Sequence, residues 1–227
     1  MFQNIVNTFV NCFKIPELKS RIFFTLIVLA ICRLVSMLPL PGLDGQALQS
    51  FFEEIAKKDG GGLLGMYSMF TGGALERCGI GSLGIMPYIS ATIIIQLLSA
   101  VIPQLSKLAR EEGGRAKIIQ YGRYLTVLLC LGQGFVMAIA WENPEKIFQG
   151  FVGQLVQDPG LGYRLQTTLL LTTGTLLMMW LGEQISERGI GNGVSLVITV
   201  GILARVPQTV QALWEMFITP EGIQAKF

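Results

Sequence analysis

Residues 80–102 read IGSLGIMPYISATIIIQLLSAVI, a run without a single charged side chain. A helix needs about 20 mainly apolar residues to cross the hydrocarbon core of a bilayer, and this run is long enough. The composition of the whole chain agrees, because 51% of its 227 residues are hydrophobic and only 14% are charged. Ordinary globular domains carry about 25% charged residues. The sequence therefore predicts an all-α integral membrane protein.

Other gaps between charged residues predict further membrane spans on the same length criterion. The first gap contains one charge, Arg33, and we expect that side chain to snorkel outward or to pair within the bundle rather than to act in gating. The last gap is the shortest and gives the weakest signal. In total the sequence predicts five transmembrane helices, near residues 22–40, 80–102, 124–141, 165–182 and 189–207.

The distribution of Lys and Arg orients the predicted spans. Three basic residues precede the first span, and residues 107–123 are the densest basic loop. Loops rich in Lys and Arg remain on the cytoplasmic side of the membrane. We therefore expect a cytoplasmic N-terminus, with residues 1–21 as a surface segment and residues 208–227 as an extracytoplasmic tail.

Several classes of function are disfavoured by composition. The chain has no histidine, which excludes histidine-based catalytic triads and histidine-ligated metals. Its four cysteines are scattered without a C-x-x-C pair, so neither a zinc site nor a disulfide framework is indicated. The net charge of +2 is too small to suggest a nucleic-acid-binding protein. We expect no enzyme, no metal and no cofactor.

Residues 60–84 do not have the composition of an exposed loop. A short apolar stretch lies between glycine clusters at 60–62 and 72–73. Glycines permit the left-handed turns that send a chain into the membrane and back out, and irregular backbone at membrane depth must be buried in protein or line a watery cavity. Two interpretations remain open: a re-entrant helix inside a vestibule, or a helix lying on the outer leaflet.

One face of the second span changes character along its length. Ile85 and Ile89 lie one turn apart, and Thr92 and Gln96 continue the same face. Counted from residue 80, the two isoleucines lie about 8 and 14 Å deep, near the midplane of the membrane. A face ending in Gln96 is expected to meet protein or water. The alternative is an interhelical hydrogen bond from Gln96, with the isoleucines simply packing.

The link between the fourth and fifth spans, residues 182–193, is compact. Its glycines and asparagine suit a tight turn and a close approach of helices. Arg188 follows Glu183 and Glu187 closely, so it could form a structural ion pair or contact a partner.

Three long runs together resemble the SecY family, the channel-forming subunits of protein translocases. They are MFTGGALERCGIGSLGIMPYISATIIIQLL (69–98), REEGGRAKIIQYGRYLT (110–126) and WLGEQISERGIGNGVSLVI (180–198). SecY proteins have ten spans in two pseudo-symmetric halves, whereas this sequence predicts five. The resemblance implies that residues 22–207 form the N-terminal half of such a channel, with a short re-entrant plug helix near residues 62–72 and a second half that is missing from this chain.

The resemblance also implies roles for individual residues. The apolar pore ring matches Ile85, Ile89 and Ile198, and counting along the fifth span from residue 189 puts Ile198 about 14 Å from the cytoplasmic side, near the depth of Ile89. The remaining groups are the plug, the lateral gate between spans two and three, and the cytoplasmic loop contacts. They match, respectively, Leu63, Leu64, Met66, Tyr67, Met69 and Phe70; Ser90, Thr92 and Gln96; and Lys107, Arg110, Arg115, Lys117 and Arg188.

The function implied by the resemblance is transport of unfolded secretory polypeptides across the bacterial inner membrane and lateral release of transmembrane segments into the lipid bilayer. Implied partners are SecE-like and SecG-like small membrane subunits and either the motor ATPase SecA or the ribosome, with no nucleic acid bound directly beyond a ribosome contact. Two alternatives are half of a secondary transporter with a re-entrant helix, and a non-functional truncated fragment. A transporter would be expected to place charged or carbonyl-rich sites at the midplane, where this sequence has isoleucines.

Overall fold

The computed structural model describes residues 15–59, 71–111, 113–144, 155–156, 158–207 and 210. These residues are mainly helical and contain no β-strand, although two isolated β-bridges join Pro39 to Gly79 and Leu43 to Val156. The helices are α1 (Pro16–Met37), α2 (Gly45–Asp59), α3 (Met86–Val101), α4 (Pro103–Arg110), α5 (Gly114–Glu142), α6 (Leu161–Arg188) and α7 (Gly193–Leu203).

Membrane-spanning length is reached by only some of these helices. Within the described ranges, α1, α5 and α6 are long and apolar enough to cross a bilayer, and α3 with α4 makes a fourth candidate if the bent pair forms one span. The short helix α7 has 11 residues and is about 16 Å long. The all-helical fold is confirmed, whereas the division into five spans stays a prediction.

Two helices begin earlier than the apolar runs that predicted them. Helix α1 starts at Pro16 rather than near residue 22, and α5 starts at Gly114 rather than near residue 124. Charge-free runs mark only the apolar part of a helix, and Lys, Arg, Gln and Glu are good helix formers that extend the same hydrogen-bond ladder. Residues 16–21, predicted to be part of a surface segment, therefore belong to α1.

Helix α3 begins later than predicted. Residues 80–85 form turns, Gly84 has a positive φ of 59°, and the helix starts at Met86 with Pro87 in its first turn. Proline favours the start of a helix because it has no backbone N–H to leave unpaired. The depths counted at helical rise from residue 80 are therefore wrong. Helix α7 likewise begins at Gly193, so Ile198 lies about 8 Å along it rather than 14 Å from residue 189.

The bend between α3 and α4 also follows from a proline. The two helices meet at an angle of 101° around Ile102, whose backbone is extended with ψ of 114°. The residue before a proline disfavours helical backbone because the pyrrolidine ring clashes with it, and here Pro103 follows. The basic segment that the sequence assigned to a loop is thus formed largely by α4 and the first turns of α5.

Two ion pairs establish that α5 and α6 run antiparallel. Arg123, early in α5, lies 2.8 Å from the carboxylate of Glu183, late in α6. At the other end, Arg164 in the first turn of α6 lies 2.6 Å from the carboxylate of Glu142, the last residue of α5. We call the end with Glu142 and Arg164 the upper end and the end with Arg123 and Glu183 the lower end.

Helix α1 runs parallel to α7 against the other side of α6. The amide of Ile190, just before α7, donates to Thr25 Oγ1 at 3.2 Å. Further along both helices, the Arg33 guanidinium donates to the carbonyl of Val200 at 2.6 Å. Helix α7 packs beside both α1 and α6. Because α6 ends at the lower end and α7 follows it after a short turn, the C-terminal end of α7 lies at the upper end of the bundle.

The upper end is closed by a small cap of extended segments and α2. The amide of Leu40 donates to the carbonyl of Cys78, and the amide of Asp44 donates to the carbonyl of Leu155. Asp44 also accepts from the Gln46 amide at 3.0 Å, which satisfies a free donor at the start of α2. The buried side chains of this cap form one core, consisting of Leu40, Leu48, Phe52, Leu75, Cys78, Leu83, Trp141, Leu155, Val156 and Leu171.

A second core lies in the middle of the bundle and joins α1, α6 and α7 around the start of α3. Its buried members are Val28, Leu29, Cys32, Val35, Ile85, Met178, Leu181, Ile185 and Val197. Many large apolar side chains elsewhere on the long helices are instead exposed, including Phe23, Leu26, Leu34, Leu97, Val101, Leu128, Val136, Leu165, Leu169 and Trp180. Apolar exposure on this scale is typical of surfaces that meet lipid or another membrane helix.

Candidate channel-lining site

The three predicted ring residues come from two places in the bundle. Ile85 is the N-cap of α3 and only 4% exposed, and its carbonyl accepts the amide of Ile89 at 3.2 Å, which puts Ile89 one helical turn below it. Ile89 and Ile198 are both half-buried, and Ile89 packs against the second core. None of the three is turned fully outward.

Two cavities bring these isoleucines together. The smaller cavity, of about 20 Å³, is lined by Ile85 and Ile198, with Arg33 and Thr71 among its other lining residues. The larger cavity, of about 470 Å³, is lined by Ile89 and Ile198. Ile198 therefore lines both cavities, sharing one with Ile85 and the other with Ile89.

The larger cavity has a mixed lining, with the apolar side chains of Ile93, Ile119 and Val194 beside several polar ones. The Arg123–Glu183 ion pair contributes to its lining. The other polar residues around it are Tyr88, Thr92, Gln96, Ser186, Glu187, Asn192 and Ser195. The face of α3 that carries Ile89, Thr92 and Gln96 thus faces one open space.

The predicted gate residues lie in different surroundings. Thr92 and Gln96 line the larger cavity, and Thr92 Oγ1 donates to the Tyr88 carbonyl of its own helix at 2.8 Å. Gln96 is exposed and its side chain makes no hydrogen bond to a described residue, so the interhelical hydrogen bond considered from the sequence is not found there. Ser90 is half-buried and lines neither cavity.

The predicted plug side chains lie outside the described residues. Of the predicted plug range 62–72, the structure describes Thr71 and Gly72. Thr71 is buried and lines the smaller cavity, while Gly72 and Gly73 both adopt left-handed backbone, with φ of 65° and 88°. The C-terminal end of the predicted plug range is therefore in direct contact with the cavity at Ile85 and Ile198.

Arg33 pairs within the bundle, one of the two outcomes expected from the sequence. One terminal nitrogen donates to the carbonyls of Val200 at 2.6 Å and Gly201 at 3.0 Å, and the other reaches the Gly72 carbonyl at 3.5 Å. Carbonyls in the last turn of a helix lack intrahelical donors and carry the negative end of the helix dipole. Arg33 therefore satisfies the C-terminal end of α7 inside the bundle.

We expect Arg33→Met to destabilise the folded chain by about 2 kcal/mol, because hydrogen bonds to a charged group contribute about 1.5–3 kcal/mol each. The Gly201 carbonyl would lose the Arg33 donor, whereas the Val200 carbonyl would keep the Ala204 amide at 3.1 Å. Thermal unfolding of the detergent-purified protein would measure this loss. Arg33→Lys keeps the charge but loses the planar guanidinium that donates to several carbonyls at once. Its unfolding temperature should lie between those of wild type and Arg33→Met. Unfolding of Arg33→Met at the wild-type temperature would contradict this role.

A second ion pair at the upper end has no signal in the sequence. Arg205, just after α7, pairs with Glu76 in the turn before α3. Both side chains are less than one-fifth exposed. The two residues are 129 positions apart, and no local pattern links them.

The predicted cytoplasmic contacts lie together at the lower end. Lys107 and Arg110 are in the last turn of α4 and Arg188 is in the last turn of α6. Arg115 and Lys117 lie at the start of α5, and all five residues are exposed. Glu183 pairs with Arg123, and Arg188 has no ion pair with a described residue.

The described cysteines are part of the packing. Cys32, Cys78 and Cys130 are free thiols and buried. Burial raises the pKa of the Cys78 thiol to about 12, so it stays protonated and unreactive at neutral pH. Among the described residues, no group of three or more His, Cys, Asp or Glu side chains could hold a metal ion.

Known proteins resemble this chain in sequence and in fold. The SecY family model matches residues 79–226. The protein translocase subunit SecY of Rickettsia bellii is 46% identical over 201 residues, which cover 88% of this chain and 45% of the relative. The SecY subunits of Escherichia coli and Streptomyces coelicolor are 45% and 40% identical, over 86% and 92% of this chain and 42% and 47% of their own lengths.

A solved structure described as that of a protein conducting channel matches with a TM-score of 0.52. The match covers 89% of this chain and 38% of the solved chain, at 18% sequence identity, so it supports the fold alone. This chain spans about half the length of the curated relatives it matches. With its apolar helices it is a multi-pass membrane protein, and the match of its sequence to the family model over residues 79–226 shows that it belongs to the SecY family.

Proposed function

We propose that this chain forms the N-terminal half of a protein-conducting channel. In the complete channel, unfolded secretory polypeptides cross the membrane and transmembrane segments leave sideways into lipid. The observation that carries the proposal is that Ile198 of α7 lines one cavity with Ile85 and a second cavity with Ile89. This shared lining supports an apolar constriction formed by isoleucines from two segments of the chain.

The proposed constriction works by resisting water. Branched apolar side chains line a gap that neither ions nor water enter readily, since a hydrophobic constriction gates by dewetting. They offer a polypeptide no strong hydrogen bond or charge, so a moving chain is not held. The 470 Å³ cavity, whose lining includes the Arg123–Glu183 ion pair, would form one side of a water-filled entrance. The second half of the channel would supply the opposite side.

The proposed lateral gate is the edge formed by α3 and α5. Thr92 and Gln96 line the larger cavity, while Ile94 and Leu97 of the same helix are exposed on its surface. A polypeptide segment that leaves the cavity past this edge would move from partly polar surroundings into lipid. Exit would therefore be favoured only for segments that are sufficiently apolar. Ser90, also proposed as a gate residue, is half-buried beside this face.

The proposed plug occupies residues 62–72 and closes the channel from the upper side. The contact of Thr71 with the small cavity at Ile85 and Ile198 supports this location. The exposed basic residues at the lower end suit a cytoplasmic docking face for a SecA-like motor or a ribosome. SecE-like and SecG-like subunits would cover apolar helix surface, in a bacterial inner membrane with the N-terminus in the cytoplasm.

The test is reconstitution in proteoliposomes of a channel assembled from this chain and the remaining half of a SecY-type protein. With motor and ATP, we expect a secretory precursor to become protected from added protease. Vesicles with the second half alone are the control and should protect no precursor. Uptake of small solutes without movement of the precursor would refute the proposal and favour a transporter.

A further inference from the structure

We propose that Glu76, Arg205 and Arg33 act as positioning residues that hold Ile85 and Ile198 against the small cavity that both of them line. This assignment rests on the channel function proposed above and adds a device that sets the closed constriction. We call the three residues the upper clamp. Glu76 lies in the turn that leads into Ile85, Arg205 follows the end of α7, and Arg33 comes from α1.

The clamp joins the two segments that carry the isoleucines. The Glu76–Arg205 ion pair ties the turn before α3 to the end of α7. Arg33 makes the same connection a second time, because its guanidinium reaches the carbonyl of Gly72 in that turn and those of Val200 and Gly201 in α7. A sliding motion of α7 along the turn would have to break both connections.

Charge balance explains why three residues are needed. The two arginines lie side by side, since a Cβ on Gly72 would meet the Arg33 guanidinium and a Cβ on Gly73 would meet that of Arg205 at 2.8 Å. Two neighbouring cations that are largely removed from water repel each other strongly. The carboxylate of Glu76 and the negative end of the α7 dipole offset that repulsion. Removing the carboxylate therefore breaks the tie between the turn and Arg205, and it leaves Arg33 of α1 and Arg205 repelling each other without a compensating charge.

Hydrogen bonds within the turn link the position of Glu76 to that of Ile85. Ser82 Oγ donates to the carbonyl of Gly79 at 2.6 Å and also lies 3.1 Å from the carbonyl of Ala74, which closes the turn on itself. The Ile80 amide donates to the Leu38 carbonyl at the end of α1. A closed turn moves as a unit, so an ion pair at Glu76 restrains Ile85 at its other end.

The experiment compares resting ion conductance of assembled channels in planar bilayers. We expect Glu76→Gln and Arg205→Gln each to raise the resting leak about tenfold, the change expected when a closed state loses 1.4 kcal/mol relative to a leaky one. Glu76→Asp should leak less than Glu76→Gln because it keeps the charge. The double variant Glu76→Arg with Arg205→Glu restores an ion pair and should return the leak toward wild type.

The matched control is the other ion pair at the upper end. Glu142→Gln breaks the Arg164–Glu142 pair, which joins α5 to α6 and lines neither cavity. It should leave the leak unchanged. A wild-type leak in both single variants, or a leak in the charge-swapped variant as large as in the singles, would overturn the clamp.

A second readout does not depend on transport. With the native cysteines replaced by alanine, Ile85→Cys and Ile198→Cys should be joined by a short bifunctional thiol reagent, and adding Glu76→Gln should lower the yield. An unchanged yield would overturn the clamp. If Ile198→Gly raises the leak but the clamp variants do not, the clamp alone is wrong. If Ile198→Gly has no effect, the constriction itself is wrong.

Discussion

Replacing Ile198 by glycine will make the resting channel leak ions, and Ile85→Gly and Ile89→Gly will do the same. Each change removes a branched side chain from a wall of the two central cavities, and a wider, less apolar gap admits water and therefore ions. We expect Ile198→Gly to have the largest effect, about an order of magnitude in conductance, because Ile198 alone among the three lines both cavities. Single-channel recording of the assembled channel measures it.

Ile94→Gly is the matched control for Ile89→Gly. Ile94 is on the same helix and is 39% exposed, and it lines neither cavity. Both substitutions replace isoleucine by glycine within one helix and carry a similar helix-propensity cost, of about 0.5 kcal/mol, so a difference in leak between them reports on the cavity wall. Conductance at the wild-type level in all three ring variants would exclude these residues from the constriction.

Replacing Gly193 by valine will prevent stable packing of α7. A Cβ at this position would lie 1.9 Å from the carbonyl oxygen of Gly182 and 2.7 Å from the Cβ of Ile185, both on α6. The obstacle is backbone, which cannot move aside as a flexible side chain does. Overpacking of this kind costs about 1–3 kcal/mol and occasionally more. We expect Gly193→Val to exceed that range and to appear as loss of the monodisperse protein in detergent.

Gly132→Ala provides the contrast for the Gly193 substitution. Gly132 lies within α5, and a Cβ there would meet no atom within 4 Å. Alanine is preferred over glycine inside a helix by about 0.8–1.0 kcal/mol, so thermal unfolding should shift slightly upward. If Gly193→Val unfolded at the same temperature as wild type, the close approach of α6 and α7 would be wrong.

Some features of the candidate site were predictable because they are local. Ile89, Thr92 and Gln96 face one cavity, and the spacing of three and four residues that puts them there is a property of any α-helix. The pairing of Arg33 within the bundle was likewise one of two outcomes expected for a charge in an apolar run. Its partners were not predictable, since they depend on where α7 ends.

Helix boundaries were predicted less well for a related reason. Charge-free runs located the apolar part of each helix, but they missed the early starts at Pro16 and Gly114. They also missed the turns over residues 80–85, where a left-handed glycine and the bridge at Gly79 replace helix. An apolar run is compatible with a helix or with a buried turn. Here the contacts of residues 79–80 with the extended segments at the upper end favour the turn.

The amino-acid sequence by itself determined that this chain is helical and spans a membrane, because an apolar run of about 20 residues can pair its own backbone groups in lipid only as a helix. Tertiary structure alone decided which distant residues meet. Arg123 pairs with Glu183, and Arg205 with Glu76, although no periodicity relates the members of either pair. Such contacts depend on the direction, depth and rotation of whole helices, which packing sets after each helix has formed.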